Sequence, residues 1–342
     1  MNRRRLLLQT TTATLALGAP WIVRASTAYK SEYRVSLASP PGTVWHQGAD
    51  QFARLVQERT QGRIRMKLYP GSSLLQGQQD RELAALRQGV IDVLVGTTLT
   101  WSGTVKDFAL FHMPFLMPGN KAVDAVLASD ALRQDFYAIM RRSGIEPLAS
   151  AEYGAFHLVN SKRRIVRPED LRGLKIRTVS TPMQQELMTE FGANPTTMSF
   201  AEAQPALATG AVDGLTMPGE QFMGVKLYSL GLKHVTKWNA HNELLHIAVG
   251  NAAWKSWSEQ DREIARQAAL DAASEMHTKL RRFQAQENEA MKAAGVDVVE
   301  LTPEQLAQWR QAAQRVRARW KDIINPGLVD KVERVVAEAT RS

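Results

Sequence analysis

The chain offers few of the residue patterns on which enzymatic chemistry depends. It has no cysteine and seven histidines in 342 residues, which excludes thiolate nucleophiles, thiolate metal sites and disulfides. It contains no glycine-rich phosphate loop, no Gly-x-Ser-x-Gly turn and no His-Glu-x-x-His helix. His241 and His246 lie five residues apart, where the pattern indicates a loop running into a strand, so they should not face one metal ion. We predict no catalytic residue, no metal and no cofactor.

The charged residues give no support for nucleic-acid binding. The formal net charge is +9, and removing the four arginines of residues 1–25 leaves +5. Basic clusters remain at 162–164 and 315–319, but no nucleic-acid-binding motif accompanies them. A solvated surface is therefore the favoured interpretation, and no nucleic-acid partner is predicted.

Residues 1–25 have the pattern of an export signal. Three arginines at 3–5 precede an uncharged, largely apolar stretch at 6–22, and small residues at Val23 and Ala25 predict cleavage after Ala25. The arginines also match a twin-arginine signal, while the Sec route stays open. An uncleaved anchor helix is the alternative, but the apolar stretch is shorter than the ~20 residues that a membrane span needs.

The remaining chain alternates strand and helix patterns, which is typical of an α/β fold. Strands at 33–37, 64–68 and 91–95 are separated by helices at about 44–60 and 79–88. Ligands of such sheets lie beyond the carboxyl ends of the strands, so the loops after these strands should face a ligand. These loops are residues 38–46, 69–77 and 96–101.

The alternation begins again near Ala149, which predicts a second lobe with its own small sheet. We assign 26–150 to lobe I, with a returning segment at about 238–257. Lobe II takes 151–237, with a returning segment at about 295–342. No low-complexity linker separates the lobes, so strands or short turns must join them, as in a hinge.

Residues 258–294 contain no glycine or proline and predict one long helix. Ser258 can cap its start and Gly295 should end it. At 1.5 Å per residue the helix would be roughly 50 Å long, more than the width of one lobe. A coiled-coil dimer is the alternative, but the alanine-rich stripe lacks sustained leucines. We therefore expect one helix that crosses both lobes.

Seven segments carry a resemblance to a known family. They are HQGADQFARLV (46–56), GRIRMKLYPGSSL (62–74), RELAALRQGVIDV (81–93), MPFLM (113–117), LRGLKIR (171–177), FGANPTTMSFAEAQPALATGAVDG (191–214) and AAGVDVVELTPEQLAQW (293–309). In this order they resemble the DctP-like solute-binding subunits of tripartite ATP-independent periplasmic (TRAP) transporters. The resemblance covers nearly the whole chain after the export signal.

The resemblance implies a two-lobed, periplasmic-binding-protein-like α/β fold with a ligand cleft between the lobes and one long helix crossing both. It further implies a periplasmic protein that closes around a small organic acid and delivers it to the TRAP membrane permease. No reaction is performed on the ligand, and the permease uses a sodium gradient. The family includes monomers and helix-swapped dimers, so the oligomeric state stays open.

Arg177 is the residue that the resemblance singles out for ligand binding. It ends the strand pattern Gly-Leu-Lys-Ile-Arg, where members of the family place an arginine. The planar guanidinium can pair both oxygens of a carboxylate, which lysine does less well. A surface arginine after a strand is the alternative interpretation.

Two positions depart from the pattern of many family members. Phe156 stands where a second arginine is common, and Met217 where an asparagine is common. The site thus loses a charge and an amide and gains an aromatic face and a thioether. We predict a monocarboxylate with an apolar or aromatic portion near these two side chains, and a dicarboxylate is disfavoured. His157 should point to the opposite face of its strand.

Six further residues are candidates for contact with the ligand. Phe200 stands where members carry an aromatic residue that packs over the ligand. The others lie on the loops that we expect to face the cleft: Thr97, Thr98, Trp45, His46 and Trp101. Packing in the core or exposure to solvent is the alternative for Phe200, Trp45 and His46.

Two other functions stay open at the level of sequence. The protein could present its bound ligand to a receptor, and this chain's sequence does not separate sensing from transport. A secreted α/β enzyme is the second alternative, although no constellation of residues points to it.

Overall fold

The computed structural model describes residues 29–341, so the predicted export signal and its cleavage site lie outside the described residues. No helix within this range combines the length and apolar character that crossing a membrane requires. The fold is α/β with two lobes, as predicted from the alternating pattern.

Ten strands form the sheet framework. They are β1 (Tyr33–Ser36), β2 (Met66–Tyr69), β3 (Val93–Gly96), β4 (Ile145–Asn160), β5 (Lys175–Thr178), β6 (Asn194–Thr197), β7 (Gly214–Pro218), β8 (His234–Lys237), β9 (Asn242–Gly250) and β10 (Asp297–Glu300). The main strand order is β2-β1-β3-β9-β4-β7-β5-β6, and β8 pairs with both β4 and β10. Strands β1 to β3 and β9 belong to lobe I, and β5 to β8 with β10 belong to lobe II.

Twelve α-helices of the described chain cover these strands. They are α1 (Val44–Arg59), α2 (Glu82–Gln88), α3 (Asn120–Ala128), α4 (Asp130–Arg142), α5 (Pro182–Glu190), α6 (Phe200–Ala208), α7 (Gly219–Gly224), α8 (Asn251–Ser256), α9 (Glu259–Gln284), α10 (Glu287–Ala293), α11 (Pro303–Ile323) and α12 (Pro326–Arg341). Short 3₁₀ turns connect several of them.

Local capping signals fix several of these helix starts. The Ser199 hydroxyl accepts the backbone N–H of Glu202, and the Glu202 carboxylate accepts the Ser199 N–H, which forms a capping box at the start of α6. Thr302 and Gln305 form the same box at the start of α11. Each box satisfies backbone donors that the first turn would otherwise leave unpaired.

Strand β4 corrects the expectation that each lobe has its own separate sheet. The strand is 16 residues long and runs through both lobes. Its first part pairs with β9, and its second part pairs with β7 and β8. The predicted boundary at 150/151 falls inside it. Only its second half was expected as a strand, because the first half is recognisable mainly from its pairing with β9.

The predicted helix over 258–294 is two helices. Ser258 caps α9 as predicted, but α9 ends at Gln284 after 26 residues, which makes it about 39 Å long. Helix α10 begins at Glu287, whose carboxylate lies 2.8 Å from Lys237 Nζ and 3.3 Å from His157 Nε2. These long-range contacts hold α10 on lobe II, and no glycine or proline marks the break. Helix α9 still packs against both lobes, on α1 and on α7.

The C-terminal segment does not return to lobe II alone. Helix α11 packs against α5 of lobe II, whereas α12 packs against α3 and α4 of lobe I. Apolar residues at 328, 329, 332 and 336 are buried in that contact. The assignment of all of 295–342 to lobe II is therefore wrong, because the turn at Asn325 redirects the chain across the molecule.

Candidate ligand-binding site

A small cavity of about 50 Å³ lies between the two lobes. Phe156 of β4 and Met217 of β7 form part of its wall, and Arg177 at the end of β5 contributes the charged group. Trp45 at the start of α1 and Phe200 at the start of α6 line it from opposite lobes. The cavity is thus built from strand ends and helix starts, as expected for an α/β sheet.

Hydrogen bonds cross between the lobes around this cavity. Glu220 Oε1 accepts the backbone N–H of Val44 at 2.8 Å. The hydroxyls of Ser102 and Thr181 lie 3.1 Å apart, and Gln79 Oε1 accepts the Phe200 N–H at 3.4 Å. The lobes are therefore closed over the cavity, and solvent is largely excluded from it.

A larger open space of about 550 Å³ lies on the other face of β4 and β7. Ala155 and His157 of β4 line it, whereas Phe156 between them lines the smaller cavity. This alternation confirms the prediction that His157 points away from Phe156. In the open space Lys237 pairs with Glu287, whereas the smaller cavity holds a buried cation, Arg177, with an unpaired donor. We therefore take the smaller cavity as the candidate site.

Arg177 is a buried cation with no carboxylate within ion-pair distance among the described residues, although the more distant Glu202 favours its charged form. It is 5% exposed, and its Nε donates to the carbonyl oxygen of Met198 at 3.0 Å. Its Nη2 is buried and has no hydrogen-bond partner within residues 29–341. Burial lowers the pKa of the guanidinium to about 10, so the group stays charged at neutral pH. A buried unpaired charge is costly, and an anion in the cavity would supply its counter-charge.

Aromatic side chains surround this charge. The guanidinium lies 5.9 Å from the centre of the Phe200 ring. Trp45 and Phe156 each pack edge-to-face on Tyr153, with ring centres 5.0 and 5.5 Å apart. The wall of the cavity is thus rigid and mainly apolar, with polar groups at a few positions.

The structure brings together six of the nine residues predicted from sequence. The cavity is lined by Arg177, Phe156, Met217, Phe200, Thr97 and Trp45. Trp45 is also fixed by a 2.7 Å hydrogen bond from its indole N–H to the Val95 carbonyl oxygen. Packing and ligand contact are therefore compatible for this residue.

Three predicted residues do not line the cavity. The Thr98 hydroxyl is buried and donates to the Phe108 carbonyl oxygen at 3.1 Å. Trp101 is 1% exposed and packs edge-to-face on Phe108 in the core, and His46 lies on α1 beyond the cavity wall. Loop 96–101 contributes Thr97, Leu99 and Thr100 to the cavity, whereas Thr98 and Trp101 point into the core, which the loop's sequence does not reveal.

Several residues of the cavity were not predicted. The 96–101 loop also contributes Leu99 and Thr100, and this was within reach of the argument from strand ends. The others are Gln79, Tyr153, Val179, Gln184, Leu215, Thr216 and Gln221. Gln221 lies on the short helix α7, which has no strong periodic signal in the sequence.

A buried polar cluster lies behind the Thr97 side of the cavity. Glu243 is fully buried, with the Thr97 hydroxyl and the Leu244 N–H as donors and His112 Nδ1 at 3.2 Å. His112 stacks on His241 with ring centres 4.0 Å apart. Burial raises the pKa of Glu243 to about 8 and lowers that of His112 to about 3. The pair is therefore a carboxylic acid hydrogen-bonded to a neutral imidazole.

These shifts predict a pH dependence of folding stability. In the unfolded chain Glu243 ionises near its ordinary pKa of 4.5, whereas in the folded chain burial raises its pKa to about 8. The folded state thus binds more protons in this window, and the free energy of unfolding falls as pH rises. Glu82 and Glu220, both with pKa raised by burial to about 7, act in the same direction. Below about pH 6.5 the buried histidines oppose this trend.

We therefore expect the free energy of unfolding to fall between pH 6.5 and 8, and Glu243→Gln to flatten the upper part of that fall. Denaturant unfolding at half-unit pH steps measures the slope. Glu289→Gln, at an exposed carboxylate, is the control for loss of one charge. A variant slope equal to that of the parent between pH 7 and 8 would show that Glu243 does not hold its proton.

His241 and His246, the two histidines considered as metal ligands, have separate neighbours. His241 Nδ1 lies 2.9 Å from the His112 carbonyl oxygen, and His246 Nδ1 lies 2.9 Å from Ser150 Oγ.

Within residues 29–341, one group of three potential metal-ligating side chains lies close together: Asp124, Glu152 and His277. Arg281 approaches both carboxylates at 2.7 Å. A protein cation therefore already neutralises this group, which ties α9 to α3 and β4.

Comparison with known families agrees with this geometry. Residues 35–322 match the family model DctP, described as bacterial extracellular solute-binding protein, family 7. The chain belongs to this family. The DctP-family protein is thus a periplasmic, TRAP-type binding protein for small organic acids, and the family's members are binding proteins and not enzymes.

Individual relatives support the same assignment. The DctP-family protein is 30% identical over 258 residues to the 2,3-diketo-L-gulonate-binding periplasmic protein YiaO of Escherichia coli, covering 74% of this chain and 76% of that protein. It is 27% identical to the C4-dicarboxylate-binding periplasmic protein DctP of Rhodobacter capsulatus, covering 97% and 94% of the two chains.

A solved structure is more similar still. The TRAP periplasmic solute-binding protein of Ralstonia eutropha is 44% identical, with a TM-score of 0.88 over 91% of this chain and 100% of that chain. That protein was crystallised with bound (S)-2-hydroxy-2-methyl-3-oxobutanoate, also called (S)-2-acetolactate.

Proposed function

We propose that this protein captures a compact monocarboxylate with a short apolar portion in the periplasm and delivers it to the membrane subunits of a TRAP transporter. The observation that carries the proposal is Arg177, a buried guanidinium with a free Nη2 that lines a small cavity between two closed lobes. A carboxylate fits this group because a charge-assisted, two-pronged hydrogen bond satisfies the buried charge.

The number of cationic side chains in the cavity supports a ligand with a single carboxylate. Arg177 is the only lysine, arginine or histidine among the described residues that line the cavity. A second carboxylate would be buried against Phe156 and Met217, which offer no hydrogen bond and no counter-charge. This is the physical reason for preferring a monocarboxylate over a dicarboxylate such as the one named for the Rhodobacter relative.

The size of the cavity supports a compact molecule. The cavity measures about 50 Å³, whereas a single buried water needs about 10–15 Å³ by the same kind of measure. A sugar acid would have to open the lobes or displace the aromatic wall. The acetolactate bound by the Ralstonia neighbour is a compact monocarboxylate of the kind that we propose.

Delivery to the permease follows from the closed arrangement. The cross-lobe bonds of Glu220, Ser102 and Gln79 give the closed form a surface that an open form lacks. We propose that the permease binds this closed surface, and that the mature chain begins after Ala25. Analytical ultracentrifugation distinguishes the two oligomeric states, a monomer and a helix-swapped dimer.

The test is a binding screen of the chain from residue 26 onward against three classes of acid. We expect compact monocarboxylates, including (S)-2-acetolactate, to raise the melting temperature, and calorimetry to give one site per chain. A ligand at a hundredfold its dissociation constant adds about 2.7 kcal/mol to the free energy of unfolding. Succinate and glucuronate represent dicarboxylates and sugar acids. If either of them binds more tightly than every compact monocarboxylate tested, the proposal is wrong.

A further inference from the structure

The polar side chains that line the cavity divide into two groups. Most have their hydrogen bonds within the protein, and three buried atoms do not: Arg177 Nη2, Gln221 Oε1 and Thr100 Oγ1 have no partner within residues 29–341. All three residues line the same cavity. Buried polar atoms in proteins are nearly always paired, so three free ones in one cavity point to a ligand that pairs them.

Gln184 is a glutamine of this site whose amide oxygen and nitrogen both have hydrogen-bond partners within the protein. It also lines the cavity and is 3% exposed, as is Gln221. Its amide oxygen accepts the Val179 N–H at 3.0 Å, and its amide nitrogen donates to the Thr216 hydroxyl at 2.7 Å. Gln184 is therefore a structural residue that joins β5, α5 and β7.

Gln221 has the same burial without the same bonds. Its Oε1 is buried and unpaired, and it extends from α7, directly after the strand that carries Met217. The two threonines differ in the same way, since Thr98 donates to the Phe108 carbonyl oxygen while the Thr100 hydroxyl is free. Both glutamines line the cavity but only Gln221 has a free polar atom, and of the two threonines only the one with a free hydroxyl, Thr100, lines it.

We infer that Gln221, assisted by Thr100, binds a second oxygen of the ligand, a hydroxyl or keto group beside the carboxylate held by Arg177. The ligand class is thereby narrowed to hydroxy- or oxo-substituted monocarboxylates, and Gln221 is the residue that selects them. This inference rests on the proposed function, because it assumes a monocarboxylate at Arg177.

The site should discriminate between substituted and unsubstituted acids because leaving the buried Gln221 amide without a hydrogen-bond partner costs free energy of binding. The free atom of Gln221 is an acceptor, which a ligand hydroxyl satisfies by donating to it, whereas a keto oxygen can pair only with the amide N–H groups or with the Thr100 hydroxyl. An unsubstituted acid of the same shape would leave the buried amide without a partner. Sites built to hydrogen-bond a ligand group reject the analogue that lacks it more strongly than apolar pockets reject a missing methylene.

The experiment compares acids that differ by one oxygen. Calorimetry would measure the dissociation constants of 2-hydroxy-3-methylbutanoate and 2-oxo-3-methylbutanoate and compare them with that of 3-methylbutanoate. Lactate would be compared with propionate in the same way. For the parent protein we expect each substituted acid to bind about 10- to 100-fold more tightly than its unsubstituted counterpart. Gln221→Leu should bring that ratio close to one while leaving the affinity for the unsubstituted acid unchanged or raised.

Two variants keep the result interpretable. Gln221→Met serves if the leucine variant does not fold, and Thr98→Val, a threonine whose hydroxyl does not face the cavity, should keep the parent's ratio. The inference is overturned if the parent binds both members of each pair equally, or if the ratio survives in both Gln221 variants. If monocarboxylates bind without discrimination, the inference alone fails. If no monocarboxylate binds, the proposed function fails with it.

Discussion

Arg177→Met should weaken ligand binding by about 100- to 1,000-fold, because losing one member of a buried charge pair costs about 3–4 kcal/mol. The parent arginine offers the ligand a free Nη2 in a cavity that excludes solvent. Methionine keeps much of the side-chain length and the packing against Phe200, so the change removes the charge with little effect on the volume. Isothermal calorimetry with the tightest acid of the screen measures the effect.

The unliganded variant provides the control. Because the arginine charge is buried and unpaired without ligand, its removal should leave the melting temperature of the free protein unchanged or raised. Arg177→Lys should fall between parent and methionine variant, since an ammonium keeps the charge but loses the planar fork. Equal affinity in parent and methionine variant would remove Arg177 from the site. A large fall in melting temperature without ligand would assign it a structural role.

Gly214→Ala should destabilise the protein by about 3 kcal/mol, because a side chain at this position has no room. Its Cβ would lie 2.2 Å from the Val159 carbonyl oxygen and 2.8 Å from the Asn160 Cβ. Gly214 begins β7 and pairs with Asn160 of β4. The clash is with backbone, so the two strands that build the wall of the cavity would have to separate.

Chemical denaturation of the free protein measures this loss. Gly103→Ala is the matched control, since Gly103 is exposed and no atom lies within 4 Å of its added Cβ. The control should lie within about 0.5 kcal/mol of the parent. If Gly214→Ala is equally mild, β4 and β7 can move apart at little cost, and their contact is not a rigid support for the site.

The local elements could be predicted because their causes are local. The capping boxes at Ser199 and Thr302 act over three residues, and both are present where the sequence indicates them. The end of the strand at Arg177 and the alternation of Phe156 with His157 depend only on the two-residue period of a strand. The resemblance of seven short segments then pointed to the family, which the family model confirms.

The candidate site was predictable in part. Strand ends placed Thr97 and Arg177 at the cavity, because the carboxyl ends of strands meet there. The same reasoning placed Thr98 and Trp101 there wrongly. Both lie on the predicted loop, but their side chains are buried against Phe108, ten and seven residues further along. Which side chain of a loop faces inward depends on what packs against it.

The sequence by itself determined the α/β alternation, the helix starts, the charged residue at the end of β5 and the family. Tertiary structure alone decided that β4 joins both lobes, that α9 ends at Gln284 and that Gln221 lines the cavity with an amide oxygen that has no partner within residues 29–341. These features depend on contacts between residues far apart in the chain, such as Glu287 with Lys237 and His157. Local propensity and periodicity act over a few residues, whereas burial and pairing are fixed only when distant segments pack together.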